Sequence, residues 1–383
     1  AASSCSRSAR RSAISSTVIG IDGSRLTVGE RTGTETYTYQ LLAALARLDV
    51  DDPIRVYLNA SRPPTDLPGI GQPVCLPFPR LWTHLRLSWE MQRNQPGVLF
   101  VPAHVVPLRH PRSVVTIHDV GYLHHPESHP TSARRMLHAA TRWSTLAARR
   151  IIAISETTKR DLIAHYSVPE SRIQVIPHGV DHTMRRASRE AIAELKQRRG
   201  LPDRYVLFVG TVQPRKNLGR LAAAMSFVAR AGLPHRLVVA GKRGWMAAEV
   251  VTEIKASGMA DRVTFLGYVP ATDLPTLYSG ADAFCLPSLY EGFGLPVLEA
   301  MACGTPVVAP DRSALPEVAG DAAMLVDPTN PQAIGATLSR LLIDDSLRRE
   351  LVERGCRRAQ QFTWERTAEA TIALLRGVRD RKI

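Results

Sequence analysis

Short apolar runs alternate along the chain with longer stretches in which apolar residues recur every third or fourth position. Residues 17–21, 54–58, 98–101, 113–117, 150–154 and 173–176 have the length and β-branched content of buried strands, and 37–48 has the periodicity of a helix. A second, cleaner series predicts strands at 205–209, 236–240, 263–266, 283–286, 306–309 and 323–326. Helices are expected between them at 218–231, 271–279, 296–302 and 331–343. Strands that alternate with helices imply parallel sheets covered on both faces, so the fold class is α/β with doubly wound, Rossmann-like domains. Between the two series Pro177-His178-Gly179-Val180-Asp181 breaks the pattern, and a polar, basic stretch at 185–199 follows. The division expected is a disordered extension at 1–16, a first domain at 17–182, a second at 183–362, and a closing segment at 363–383. An amphipathic helix at 363–378 in that segment packs back on the first domain.

Composition adds bounds. A chain of 383 residues exceeds what one core supports, and 44% hydrophobic with 22% charged residues is ordinary for a globular protein. No run approaches the roughly 18 apolar residues that cross a bilayer. Residues 1–16 hold serine, alanine and three arginines but no acid, a composition like that of a transit peptide, although a disordered extension is the preferred reading; with no apolar core of a signal peptide, secretion is not expected. The five cysteines, Cys5, Cys75, Cys285, Cys303 and Cys356, are scattered and never form C-x-x-C. That usage points to a reducing, cytoplasmic setting and away from a disulfide framework or a zinc site. The net charge of +14 is spread: residues 1–182 carry 21 basic against 14 acidic side chains and the remainder 28 against 21. Such a protein attracts phosphate as nucleotide, nucleic acid or lipid headgroup, and no block singles out a specific nucleic acid.

Ligands of open parallel sheets sit outside the carboxyl ends of the strands, so the informative residues follow each strand. After 205–209 comes Gly210-Thr211-Val212-Gln213-Pro214-Arg215-Lys216-Asn217, in which Gly210 permits close backbone approach and Arg215 and Lys216 supply adjacent cations. Taken alone, the pair reads as solvated surface charge. After 283–286 comes Glu291-Gly292-Phe293-Gly294-Leu295-Pro296-Val297-Leu298-Glu299. Gly292 and Gly294 expose backbone amides, Pro296 suits the first helical turn, and the helix start is an anion site. Glu291 in the loop and Glu299 about one turn inside can each accept hydrogen bonds from a vicinal diol. The bland alternative is a capping acid and an ordinary helix glutamate. Cys303 reads as a small buried residue, and Glu317 as part of a connecting loop, with a ligand contact as the alternative.

The string from Glu291 to Glu299 resembles the E-x7-E signature of retaining glycosyltransferases of family 4, which have the GT-B fold. Phe208-Val209-Gly210, Pro214-Arg215-Lys216-Asn217, Ala240-Gly241-Lys242 and Phe265-Leu266-Gly267 support it in the family's order. The resemblance implies two Rossmann-like domains facing across a cleft, retention of anomeric configuration, and no metal or other cofactor. It implies that Glu299 binds the donor's ribose and Glu291 the transferred sugar. Arg215 and Lys216 would hold the diphosphate, with Gly210 close by, and Gly292, Phe293, Gly294 and Leu295 would offer backbone amides. The donor is a GDP- or UDP-linked hexose, with GDP-mannose and UDP-glucose both compatible. The acceptor is a saccharide or a lipid-linked sugar, as in cell-surface polysaccharide synthesis.

In the first domain Thr116-Ile117-His118-Asp119 follows a strand and resembles the family's His-Asp pair, whose histidine meets the donor sugar; a neutral imidazole suits that task. Gly33, in Arg31-Thr32-Gly33-Thr34-Glu35, can admit a phosphate or the acceptor closely, although the family often has a second glycine where Glu35 stands. Ser155 reads as a helix N-cap. His178 and Gly179 read as an interdomain turn, with a role near the donor as the alternative. Residues 80–93 interleave Leu81, Trp82, Leu85, Leu87, Trp89 and Met91 with Arg80, Arg86 and Arg93. That segment is a helix lying on an anionic membrane, at the inner face of the plasma membrane, or a helix facing the core. Asp49-Val50-Asp51 reads as a solvated turn and not as a metal-binding D-x-D string. Rival readings are an epimerase or phosphorylase of the same fold, or a nucleic-acid-binding protein that kept the fold and lost the chemistry.

Overall fold

The computed structural model describes residues 17–29, 31, 33–103 and 105–381; the extension at 1–16 lies outside them. The chain forms two compact units. The first takes the chain up to Val120, Arg135–Gly179 and the segment from Thr363 onward; the second takes Gly121–Arg134 and Val180–Phe362. The expected division after residue 182 therefore falls at Gly179, and 121–134, expected in the first domain, groups with the second unit.

The first unit is built on a parallel sheet of seven strands: β1 Ile19–Asp22, β2 Ile54–Leu58, β3 Gln72–Cys75, β4 Val98–Val101, β5 Ser113–Ile117, β6 Arg150–Ala153 and β7 Ile173–Val175. Their order is β3-β2-β1-β4-β5-β6-β7. β1, β4 and β5 are buried at every position, which is why they stand out as continuous apolar runs. β3 escapes that pattern: Gln-Pro-Val-Cys is half exposed, and it lies on the sheet edge, where a proline is tolerated. The helix Gly33–Arg47 starts four residues earlier than its apolar periodicity suggests. Ser155 caps Glu156–Tyr166, accepting from the Thr158 N–H at 3.0 Å.

The closing helix, Trp364–Arg379, belongs to this unit's core. Trp364, Ala368, Ile372, Leu375 and Val378 join the cluster built on Ile19, Ile21, Tyr37 and Leu41. Arg47 pairs with Glu365 at 2.7 Å, and Arg376 with Asp52 at 2.7 Å; Arg379 also pairs with Asp52. A Cβ on Gly179 would stand 2.1 Å from the Trp364 backbone nitrogen, so only glycine lets the two backbones meet there. His178 is buried in the same cluster, its ring stacked on Tyr37 at 4.8 Å and on Trp364 at 5.7 Å. Burial, with His118 nearby, holds its pKa well below the ordinary value, so it packs as a neutral ring at the turn where the first unit gives way to the second.

The second unit carries six parallel strands: β8 Tyr205–Val209, β9 Arg236–Ala240, β10 Val263–Gly267, β11 Ala283–Cys285, β12 Val307–Pro310 and β13 Ala323–Val326. Their order, β10-β9-β8-β11-β12-β13, is the doubly wound one. The basic stretch expected as a boundary is instead the helix Arg189–Arg199, capped by Ser188 and ended by Gly200 at φ 60. Its buried residue is Leu195 alone, which is why no amphipathic period shows in the sequence. Glu317, expected in a loop, stands in the short helix Leu315–Ala319. Cys75, Cys285, Cys303 and Cys356 are free thiols, and burial pushes the Cys303 thiol up to about 12. No helix among the described residues is long and apolar enough to cross a membrane.

Replacing Trp364 with alanine removes an aromatic that is 2% exposed from the first unit's core. Urea unfolding should register a loss of about 3–5 kcal/mol, against less than ~0.5 kcal/mol for Ile343→Ser on the exposed end of the helix Pro331–Ile343. Equal losses in the two variants would show that the closing helix does not hold the core.

Candidate functional site

β8 and β11 are neighbours in the second sheet, at the point where the strand order reverses. Loops leaving their carboxyl ends therefore flank a natural crevice. The β8 loop ends in the tight turn Pro214–Lys216, followed by Asn217 at φ 61, a left-handed conformation that asparagine tolerates. Asn217 is buried and its amide donates to Pro287 O at 2.9 Å and Pro328 O at 2.7 Å. The Leu289 N–H donates to Arg215 O at 2.9 Å, and Arg215 Nη1 donates to Tyr290 O. These bonds tie the β8 loop to the β11 loop and fix where the cations stand.

Lys216 Nζ lies 2.5 Å from Glu291 Oε1, and Arg215 Nη1 lies 3.8 Å from Glu291 Oε2. The side chains of Arg215, Lys216 and Glu291 are 10%, 13% and 9% exposed. Burial alone would push the Glu291 carboxyl up, but Lys216 and Arg215 outweigh it and hold the group below its ordinary value. Glu291 is thus a carboxylate, and the trio carries one net positive charge. The Glu291 N–H donates to Ser313 Oγ at 3.1 Å, which steadies the loop from the far side.

Gly292, Phe293 and Gly294 lead into the helix Leu295–Ala302. Gly294 adopts φ 96, and a Cβ there would lie 2.2 Å from Leu315 Cδ2, so glycine is required on both counts. Pro296 takes the first turn, where an N–H has no helical partner to lose. Phe293 is buried with its ring edge-on to Phe362 at 5.9 Å. Gly210 follows β8 directly, and its N–H donates to Ala240 O at 2.9 Å. Glu299 stands further along the helix, and Tyr278 OH donates to its Oε2 at 2.7 Å. Burial raises the Glu299 carboxyl to about 7; the Tyr278 bond opposes this and Asp181 reinforces it.

His118 and Gly33 belong to the first unit. His118 is buried, follows β5, and bonds through Nε2 to Pro102 O at 2.8 Å. In that bond Nε2 carries the proton and Pro102 O accepts it. Gly33 opens the helix Gly33–Arg47, while Glu35 is buried and pairs with Arg25 at 3.4 Å. Sequence reasoning passed over Tyr278, Asn217 and Tyr290, whose partners lie tens of residues away. It also passed over His124, whose ring stacks on Tyr290 at 4.6 Å within the second unit.

Comparison with known proteins agrees with this layout. The family described as Glycosyltransferase Family 4 matches residues 31–183, and Glycosyl transferases group 1 matches residues 192–358. The chain is 34% identical over 304 residues to the O-antigen chain mannosyltransferase B of Escherichia coli, covering 79% of this chain and 80% of that one. Among solved structures, the sucrose-phosphate synthase (tll1590) of Thermosynechococcus elongatus superposes with a TM-score of 0.76 at 21% identity, over 95% of this chain and 100% of that one. Anabaena Alr3699/HepE, in complex with UDP and glucose, gives 0.72 at 20% identity over 94% and 98%. The two sheets are those of the GT-B fold.

Because the Tyr278 bond favours the ionised form of Glu299, Tyr278→Phe should move the Glu299 titration midpoint upward from about 7. Carbon-13 NMR of glutamate-labelled protein reads that midpoint directly. An unchanged midpoint would show that the tyrosine does not act on the carboxyl.

Proposed function

The chain belongs to the glycosyltransferases, matching family 4 over one part and group 1 over the other, and from that membership we propose a retaining, metal-independent hexosyltransferase. It takes mannose or glucose from a GDP- or UDP-linked donor and passes it to a saccharide or lipid-linked acceptor in cell-surface polysaccharide synthesis. GDP-mannose is the first choice, because the relative matched over most of both chains is an O-antigen chain mannosyltransferase.

The buried trio of Arg215, Lys216 and Glu291 supports this reading most strongly. Its net positive charge suits an anion, and a nucleoside diphosphate gains negative charge as its bond to the sugar breaks. Two fixed cations supply there the stabilisation that a metal ion would otherwise bring. Glu291 accepts hydrogen bonds from hydroxyls of the transferred sugar and Glu299 from the ribose diol. The amides from Gly292 to Leu295 serve the phosphates and the sugar at the helix start. The acceptor hydroxyl attacks from the face the diphosphate leaves, and its proton passes to the departing phosphate. His118 keeps the role that the family resemblance gives it, a neutral imidazole bonding a sugar hydroxyl.

Purified protein should turn over GDP-mannose with a simple mannoside acceptor, give an α-linked product by proton NMR, and keep its rate in EDTA. Lys216→Ala should lower kcat about 100- to 1000-fold. A β-linked product refutes retention, loss of rate in EDTA refutes metal independence, and a variant with full activity refutes the role of the trio.

A further inference from the structure

Residues 80–93 present apolar side chains both to the core and to solvent. Thr83–Leu87 winds as a π-helical turn, with the Leu87 N–H bonded to Trp82 O at 2.9 Å, and runs into the helix Ser88–Arg93. The segment has a covered side and a solvent-facing side. Trp82, Leu87 and Met91 face the core and are buried, with Trp82 Nε1 donating to Leu76 O at 2.6 Å. Leu81, Leu85 and Trp89, spaced four apart, turn outward and are 65%, 50% and 45% exposed. The Arg109 N–H donates to Ser88 Oγ at 3.2 Å, so the loop bearing Leu108, also exposed, lies beside the helix. Leu81 adopts φ 55, a backbone conformation bulky residues rarely take, and it does so without core burial to offset the strain.

The charge around this face has one sign. Arg86 and Arg93 place their guanidinium groups over the Trp89 ring at 4.8 and 3.9 Å, and Arg80 and Arg109 are exposed nearby. The one acid of the segment, Glu90, is buried and already bonded to Arg86 at 3.1 Å and Asn94 at 2.8 Å. We propose that this face docks on an anionic phospholipid bilayer. Leu81, Leu85 and Trp89 enter the boundary between headgroups and acyl chains, and Arg80, Arg93 and Arg109 meet lipid phosphates. A tryptophan flanked by guanidinium groups suits that depth, since an indole ring favours the interface and the cations beside it meet the headgroups. A second copy of the chain fits less well. Four partly exposed side chains fall short of the roughly 800 Å² per partner that a stable protein interface buries, and facing copies would oppose arginine to arginine.

Sedimentation of the full chain with extruded vesicles tests this. Vesicles of phosphatidylcholine with phosphatidylglycerol should carry the protein down, and pure phosphatidylcholine should hold it at least about tenfold more weakly. The L81S/L85S/W89S variant should lose binding by about tenfold or more while melting at the wild-type temperature, since all three side chains face water. R80E/R93E should lose binding to the anionic vesicles without changing the weak binding to neutral ones. Equal binding to both vesicle types, no binding to either, or full binding by the serine variant overturns the proposal. So does a dimer, by light scattering, that the serine variant abolishes.

Discussion

Two cations share one carboxylate where each side chain is about nine-tenths withdrawn from water. Burying such groups is costly unless each is paired, and pairing is favourable only if the geometry is held. Here the holding is done by backbone. Arg215 takes an N–H from Leu289 on its carbonyl and donates from its side chain to Tyr290 O. Asn217, in the left-handed region, ties the end of the same turn to Pro287 and Pro328. The loops after β8 and β11 therefore cannot drift apart and let Arg215 and Lys216 find solvent. The outcome is a fixed point of positive charge at the reversal of the sheet, beside the start of the helix Leu295–Ala302, whose own field has the same sign.

The two acids of the E-x7-E string are placed in opposite electrical settings. Glu291 faces both cations and stays ionised, whereas Glu299, buried against a tyrosine hydroxyl, titrates at about 7. Their difference comes from partners, not from residue type, and such separation of neighbouring carboxyls is how one site gives each a distinct task. In the proposed enzyme Glu291 remains an acceptor at any physiological pH. Glu299 becomes a full acceptor only toward the alkaline side of neutrality, or when a bound diol draws its proton off.

Much of the architecture is legible in the sequence because parallel strands buried on both faces must be apolar throughout. Val98–Val101 and Tyr205–Val209 begin and end where their apolar runs do, while Ser113–Ile117 and Arg236–Ala240 each open one polar residue ahead of theirs. What escaped were elements with little to bury: the edge strand Gln72–Cys75, the basic helix Arg189–Arg199, and the helices Ala247–Ala256 and Asp345–Ala359. The loop at Glu291 could be read because its glycines and proline have a local backbone reason. Tyr278, 21 residues from Glu299, and Asn217, 70 from Pro287, could not, since a tyrosine in a helix or an asparagine in a loop carries no sign of a distant partner. The segment 80–93 was ambiguous for a further reason: it has apolar residues on both sides, and only the fold tells which side is covered.

The central claim is that Arg215 and Lys216 are fixed in place to hold the phosphates of a nucleotide. Calorimetry comparing a nucleoside with its diphosphate, in the wild type and in an R215A/K216A variant, tests it most directly. The account predicts that the wild type binds GDP or UDP at least about a hundredfold more tightly than the matching nucleoside, and that the gap collapses in the double variant while nucleoside affinity is retained. Equal affinity for nucleoside and diphosphate in the wild type, or an undiminished gap in the variant, would contradict it.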